Sequence, residues 1–293
     1  IVIPNLDRYH YLEALVDSIH KHADFPYEII VHDDGSTDGA AEATWNKLKD
    51  KVSTIILNRG LPLGLSESTN RLVDVAGSKY IMMLNSDMLI ERPMFRDIVN
   101  VLKCPFVGFL TPLSTAVMGN VGFTSHGTRF YMHMGVGSGC AIAFRRDAYL
   151  AGGWDNTTVA SSNADVSFMS RVIRAGYFTA NIANKEPYLR NVSQDTINNS
   201  DSTISNIQYG VSYPKIFGIS NNHYTLMSRN RFDVASDAMQ ITYRAEAGDA
   251  NAHYWRTYNL DVIDDKEQLN IEVAKRHGHD KWKDLIEQYR IKG

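Results

Sequence analysis

Apolar positions in the first ninety residues switch repeatedly between a strand-like run and a helical period. Ile1 to Ile3 is an apolar run ended by Pro4, which reads as a buried strand. Asp7 can cap the next segment. There Tyr11, Leu12, Leu15, Val16 and Ile19 recur at helical spacing and predict an amphipathic helix over 8–22. Glu28 to Val31 is a second strand, running into His32-Asp33-Asp34-Gly35-Ser36-Thr37-Asp38-Gly39. Thr37 or Asp38 is suited to cap a helix at about 39–50. Val52 to Leu57 is a third strand, Asn58 to Leu65 a glycine- and proline-bearing loop, and Ser66 to Ala76 a third helix. Lys79 to Leu84 is then a strand that delivers Asn85-Ser86-Asp87. This alternation predicts βαβ units: a parallel sheet with helices on both faces, a Rossmann-type α/β half-domain.

The pattern loosens after Asp87. Pro93 to Leu102 reads as a helix and Phe106 to Leu110 as a strand. Residues 112–136, with many Gly, Ser and Thr, read as one long loop, a length usually reserved for function. Gly137 to Phe144 is a glycine-led strand, Arg145 to Leu150 a short helix, and Gly152-Gly153-Trp154-Asp155 a turn. Asp165 to Ala175 reads as a helix closed by Gly176, and Tyr177 to Ile182 as a strand. From about 185 the composition becomes polar and irregular until helical patterns at 266–276 and 281–289. Two units are therefore expected, a catalytic domain over 1–184 and an extension over 185–293, loop-rich then helical, that packs on the first and contributes to its acceptor side.

Composition narrows the function. The chain is 44% hydrophobic and 22% charged with a formal net charge of −3, an ordinary globular balance without the basic face that nucleic acid requires. No apolar run approaches a membrane span, so any membrane contact is expected to be peripheral. Cys104 and Cys140 have no metal or redox spacing and read as small hydrophobes, in keeping with a reducing, cytoplasmic setting.

Open α/β sheets bind ligands at the carboxyl ends of their strands. The first strand brings Pro4 and Asn5 to that edge, the second Asp33 and Asp34, and the fourth Asn85, Ser86 and Asp87. A loop opening on two carboxylates has the wrong charge to cradle phosphate, and neither a P-loop nor a Gly-x-Gly-x-x-Gly fingerprint is present. It suits a nucleotide whose base or ribose donates to an acid and whose diphosphate is held through a metal on Asp87. The same residue types also make ordinary turns and caps. On local pattern alone Asp34 and Asp87 can be turn residues, Asp165 a helix N-cap, and Trp154 a core side chain rather than a stacking platform for an acceptor.

These stretches resemble family 2 glycosyltransferases of the GT-A fold. The resemblance rests on Ile3-Pro4-Asn5; Val31 to Gly39; Asn58-Arg59-Gly60 with Asn70 and Ala76-Gly77; and Leu84 to Asp87. It continues through Gly137 to Arg146, Gly152 to Asp155, and Asn163 to Phe168 with Arg171 and Arg174 to Tyr177, and so spans about residues 1–183. It implies a GT-A-like, mostly parallel sheet and an inverting, nucleotide-sugar-dependent transferase. In that reading Asp34, with Asp33 as its substitute, accepts the base N–H, and Pro4, Asn5, Asn70, Asn85 and Ser86 line the donor pocket. Asp87 ligates Mn2+ or Mg2+, and Asp165 is the general base. Gly139, Trp154 and Asp155 lie on the acceptor side. The implied partners are a nucleoside-diphosphate sugar and a glycan or other hydroxyl acceptor, as in polysaccharide or glycoconjugate synthesis.

The chain departs from the family pattern at three acids. Asn85 replaces the first Asp of Asp-x-Asp, Ala164 replaces the Glu before the base, and Ser167 replaces a following Asp. Residues 184–195 lack the late histidine that often ligates the metal, leaving His223 or His253 as candidates. These losses keep a second reading open, a catalytically degenerate domain that only binds sugar nucleotide or glycan. A sugar-nucleotide pyrophosphorylase would need a glycine- and base-rich loop after the first strand, where Pro4-Asn5-Leu6-Asp7-Arg8 stands instead.

Overall fold

The computed structural model describes residues 1–37, 41–60, 62–112, 122–133, 139–152, 164–183, 187–192 and 279–291. Its first four strands are β1 (Val2–Asn5), β2 (Ile30–Asp33), β3 (Thr54–Leu57) and β4 (Tyr80–Leu84). They alternate with α1 (Tyr9–His22), α2 (Ala41–Leu48) and α3 (Leu65–Val75), as the periodicity predicts. β5 (Met88–Ile90), α4 (Phe95–Leu102), β6 (Val107–Leu110), β7 (Gly122–Ser125) and β8 (Thr128–His133) come next. They are followed by β9 (Ala141–Arg145), α5 (Arg146–Gly152), α6 (Ala164–Arg174), β10 (Phe178–Ile182) and β11 (Leu189–Asn191). A 3-10 turn (His279–Trp282) and α7 (Lys283–Tyr289) are the last described elements.

The main sheet runs β3-β2-β1-β4-β9-β6-β10-β8-β7. β3, β2, β1 and β4 are mutually parallel, whereas β9 enters between β4 and β6 and is antiparallel to both. β10 pairs parallel with β6, and β8 and β7 complete the far edge as an antiparallel hairpin. This is the mixed, mostly parallel sheet with flanking helices expected for the GT-A architecture. Strands β2, β6, β9 and β10 are buried along their whole length, with the polar His32, Asp33, Thr179 and Asn181 enclosed among their apolar residues.

Three local expectations change. Residues 112–136 are not one loop: Gly122–Ser125 and Thr128–His133 form the β7–β8 hairpin, whose Phe123 and Phe130 rings stack 5.6 Å apart. Its Thr and Gly content masks strands that gain their stability from β10. Asp7 does not cap α1. It has a left-handed φ of 50°, and its carboxylate accepts from Thr37 N at 2.7 Å instead. The buried stripe of α1 is Tyr9, Leu12, Leu15, Val16 and Ile19, while Tyr11 is only half-buried. Tyr9 lies three residues before Leu12 and so on its face, whereas Tyr11 is rotated about 100° from Leu12.

The expected stop for the helix at 165–175 is present, since Gly176 follows α6 with φ +92° and donates its N–H to Ile173 O at 2.9 Å. β5 and β11 pair antiparallel, Met88 opposite Asn191, so the chain as far as Asn191 is woven back against the segment after Asp87. The last helix also returns to the sheet domain. Trp282 Nε1 donates to Gly176 O at 2.6 Å, and the Tyr289 ring meets Phe106 edge-on at 5.3 Å. The helical pattern at 266–276 lies outside the described residues. No helix among the described residues is long and apolar enough to cross a membrane. Cys104 and Cys140 are free thiols, and burial pushes Cys104 up to about 11, so it packs as an inert small side chain.

Candidate functional site

Parallel register puts the expected donor residues on one edge. Asn5 lies opposite Asp33 in the β1–β2 ladder, and Asp34 N donates to Asn5 O at 2.9 Å. Val2 is level with Met83, so three residues further Asn5 is level with Ser86. Asn5, Asp33, Asp34, Ser86 and Asp87 are all buried there, with Asn85 half-buried. Pro4, half-buried in β1, precedes them. Both polar atoms of the Asn5 side chain lack a hydrogen-bond partner among the described residues, the state of a polar group held ready for ligand or ordered water.

The two adjacent acids have different work. Asp34 accepts from Leu63 N (2.8 Å), Gly64 N (2.8 Å) and Asn58 Nδ2 (3.2 Å). It therefore pins the loop between β3 and α3, close to the positive end of the α3 dipole. Asp33 accepts from Ser36 N at 3.3 Å and from Ser36 Oγ, and so shapes the turn that follows β2. Ser36 Oγ in turn accepts from Asp7 N at 2.9 Å, which stitches the turns after β1 and β2 into one rim. Beside them His32 is fully buried and neither ring nitrogen has a partner among the described residues. Burial lowers its pKa, and the neighbouring Asp34 carboxylate opposes that shift. Asn70 stands further along α3, where its Oδ1 accepts from Tyr149 OH and ties α3 to α5.

The acceptor-side elements meet the same edge from the other direction. Because β9 runs antiparallel to β4, its amino end lies beside the carboxyl end of β4, and Asn85 N donates to Cys140 O at 2.9 Å. Gly139 immediately precedes. A Cβ added to it would sit inside the carboxyl group of Asp165 and 2.8 Å from that residue's Cβ, so only glycine admits Asp165 here. Asp165 lies in the first turn of α6, inside the helix rather than at its cap, and is half-buried. The route from Asp165 to Gly139, Cys140, Asn85 and Asp87 is continuous. Trp154 and Asp155 lie outside the described residues, as do His223 and His253.

Asp87 is held from two sides. Its carbonyl accepts from Val192 N at 2.9 Å, just beyond β11, and its Oδ2 accepts from Arg8 Nη1 at 2.8 Å. The hydrogen bonds of Asp97 to Thr128 (2.7 Å) and to Tyr188 OH (2.8 Å) brace β11 against β8. Arg8 was not among the residues the sequence singles out. Its only signal is position, as the one cation in the turn after β1.

A divalent ion of the kind the resemblance implies would find Asp87 as its protein carboxylate. Among the described residues no three His, Cys, Asp or Glu side chains cluster as a metal cage. Mg2+ and Mn2+ bound through substrate phosphates need only one or two carboxylates. A buried Asp87 that already holds a cationic partner, Arg8, at this edge therefore fits an ion that arrives with a diphosphate.

Residues 1–136 match the family model described as glycosyl transferase family 2. No curated protein sequence matches the chain. Among solved structures, S. aureus TarS 1–349 is similar with a TM-score of 0.51 at 13% identity, over 97% of this chain and 90% of that one. The TarS 1–349 complex with UDP-GlcNAc gives 0.52 at 10% identity over the same shares. A longer TarS chain gives 0.53 at 13% identity, and this chain covers 54% of it. At such identities the likeness speaks for the fold, and the family match speaks for the chemistry. Residues 1–136 thus match glycosyl transferase family 2, and the chain has the GT-A fold of the glycosyltransferase structures it resembles.

Proposed function

We propose that the chain transfers a sugar from a nucleoside-diphosphate sugar to an acceptor hydroxyl with inversion at the anomeric carbon. The observation that carries this reading is the seating of the Asp165 carboxylate on the backbone of Gly139, one residue from the carbonyl that binds Asn85 N. Asp165 and Asp87 thereby lie on one continuous edge, which supports reading them as the base and the diphosphate-binding acid. TarS, which has the same fold, has been solved with UDP-GlcNAc, and a nucleotide sugar is taken here as the donor class.

In the proposed reaction Asp165 takes the proton of the acceptor hydroxyl as that oxygen attacks the anomeric carbon from the face opposite the diphosphate. The new bond is acceptor oxygen to anomeric carbon. The bond from that carbon to the β-phosphate oxygen breaks, and the nucleoside diphosphate leaves with the bonding pair. A bound Mn2+ or Mg2+ would offset the charge that collects on the leaving group. Asn5, with its unengaged amide, and Asp34, with Asp33 as its substitute, face the nucleoside end. Asp34 keeps the loop of residues 58–64 closed beneath it, and Asp87 holds the diphosphate end. The reducing, cytoplasmic setting expected from the two thiols accompanies this reading, as does the expected acceptor side at Gly139, Trp154 and Asp155.

The test is a thermal-shift series with UDP, GDP and their sugars, with Mn2+ or with chelator, followed by an assay of donor turnover. A ligand that binds only the native chain raises the Tm by mass action. A metal-dependent rise with one nucleoside diphosphate, together with donor cleavage, is expected. A rise without cleavage selects the binding-only reading suggested by Asn85, Ala164 and Ser167. No rise with any nucleotide sinks both.

A further inference from the structure

We infer that Arg8 is the resident counter-charge of Asp87 and makes metal uptake conditional on the nucleoside diphosphate. This rests on the donor-site reading above.

The pair joins two separate strand ends. Arg8 follows β1 and Asp87 follows β4, 79 positions apart, and Nη1 to Oδ2 is 2.8 Å. The Asp87 side chain is 4% exposed and that of Arg8 25%. A carboxylate so enclosed needs a counter-charge, and a guanidinium cannot shed its proton to relieve crowding by a second cation. The chain has also lost one acid, since Asn85 stands where the family pattern has Asp. With Asp87 already matched by Arg8, a divalent ion on that carboxylate would add two positive charges at a largely buried edge. A diphosphate brings the negative charge that makes the assembly neutral. Arg8 has five donors in a planar fork, so it can keep Asp87 and still meet a phosphate oxygen. In the absence of nucleotide, Arg8 therefore holds the place of the ion. With nucleotide, ion and guanidinium share the diphosphate.

The experiment reads Mn2+ binding directly, by electron paramagnetic resonance of free Mn2+, on the full chain with and without UDP or GDP. The wild-type chain should take up Mn2+ weakly alone and at least about tenfold more tightly with the matching nucleoside diphosphate. Arg8→Gln should bind Mn2+ alone at least about tenfold more tightly than wild type, the expected result of removing a like charge. Arg8→Lys, which keeps the charge, should take up Mn2+ alone as weakly as wild type. Arg8→Gln/Asp87→Asn should lose the gain. If wild type binds Mn2+ as tightly without nucleotide as with it, the inference is overturned whether or not the variants fold. Equal Mn2+ affinity in wild type and folded Arg8→Gln overturns it too. Failure of the donor-site reading looks different, because wild type would then bind neither UDP nor GDP under any metal condition.

Discussion

The two halves of the sheet handle the same edge in opposite ways. In the proposed donor half, β1 to β4 are parallel neighbours, and β2 and β4 bring Asp33, Asp34 and Asp87 to the edge where β1 brings Asn5. In the acceptor half, β9 is antiparallel, and a residue at its beginning, Gly139, reaches the edge that β4 reaches with its end. Parallel order therefore gathers the proposed nucleotide-binding residues from one stretch of sequence. The Asp165 carboxylate, the proposed base, comes instead from α6, an element separate from those strands. The difference predicts that changes in the two halves separate cleanly into turnover and donor affinity.

The strongest test of that separation is Asp165→Asn. General-base help is typically worth about 10²–10⁴-fold, so kcat should fall at least about a hundredfold with donor affinity nearly unchanged. Gly139→Ala should act in the same direction, because its Cβ would displace the Asp165 carboxyl and leave β1 to β4 untouched. Steady-state kinetics beside nucleotide titrations check both. Near-normal turnover in Asp165→Asn would remove the base from the mechanism.

A smaller effect belongs to the donor half. Asp34→Ala strips the acceptor from two backbone N–H groups and the Asn58 amide. Leaving such donors unpaired costs about 1–3 kcal/mol, so calorimetry should show weaker nucleotide binding and a lower Tm. Asp33→Ala, which loses only the local Ser36 contacts, should show less of each. Equal losses in the two variants would mean that closure of the 58–64 loop is not what Asp34 contributes.

The smallest effect is a pH slope from His32. Its folded-state pKa lies below the ordinary 6.5, so between the two values the unfolded chain binds more protons than the folded one. That contribution to stability is complete above about 6.5 and is lost as the pH falls below it, with a slope of at most about 1.4 kcal/mol per pH unit. Urea unfolding at pH 7.5 and 5.5 should show the loss, and His32→Leu should reduce it. An unchanged slope in His32→Leu would assign the acid sensitivity to other groups.

The sequence by itself determined the class of fold, the strand-helix order through β4, and the meeting of Asn5, Asp33, Asp34 and Asp87 at one sheet edge. Buried parallel strands carry continuous apolar runs, and open sheets bind at one predictable edge. The β7–β8 hairpin stayed hidden because its strands depend on pairing with β10 rather than on their own composition. The clamp role of Asp34, the pairing of Arg8 with Asp87 and the fit of Asp165 against Gly139 were decided only by tertiary structure. The two polar contacts join residues 24 to 79 positions apart, and the third needs the absence of a side chain at Gly139, just before β9, to meet the first turn of α6. Local periodicity holds no record of such distances, because it registers only which residues seek the core and not which of them arrive side by side.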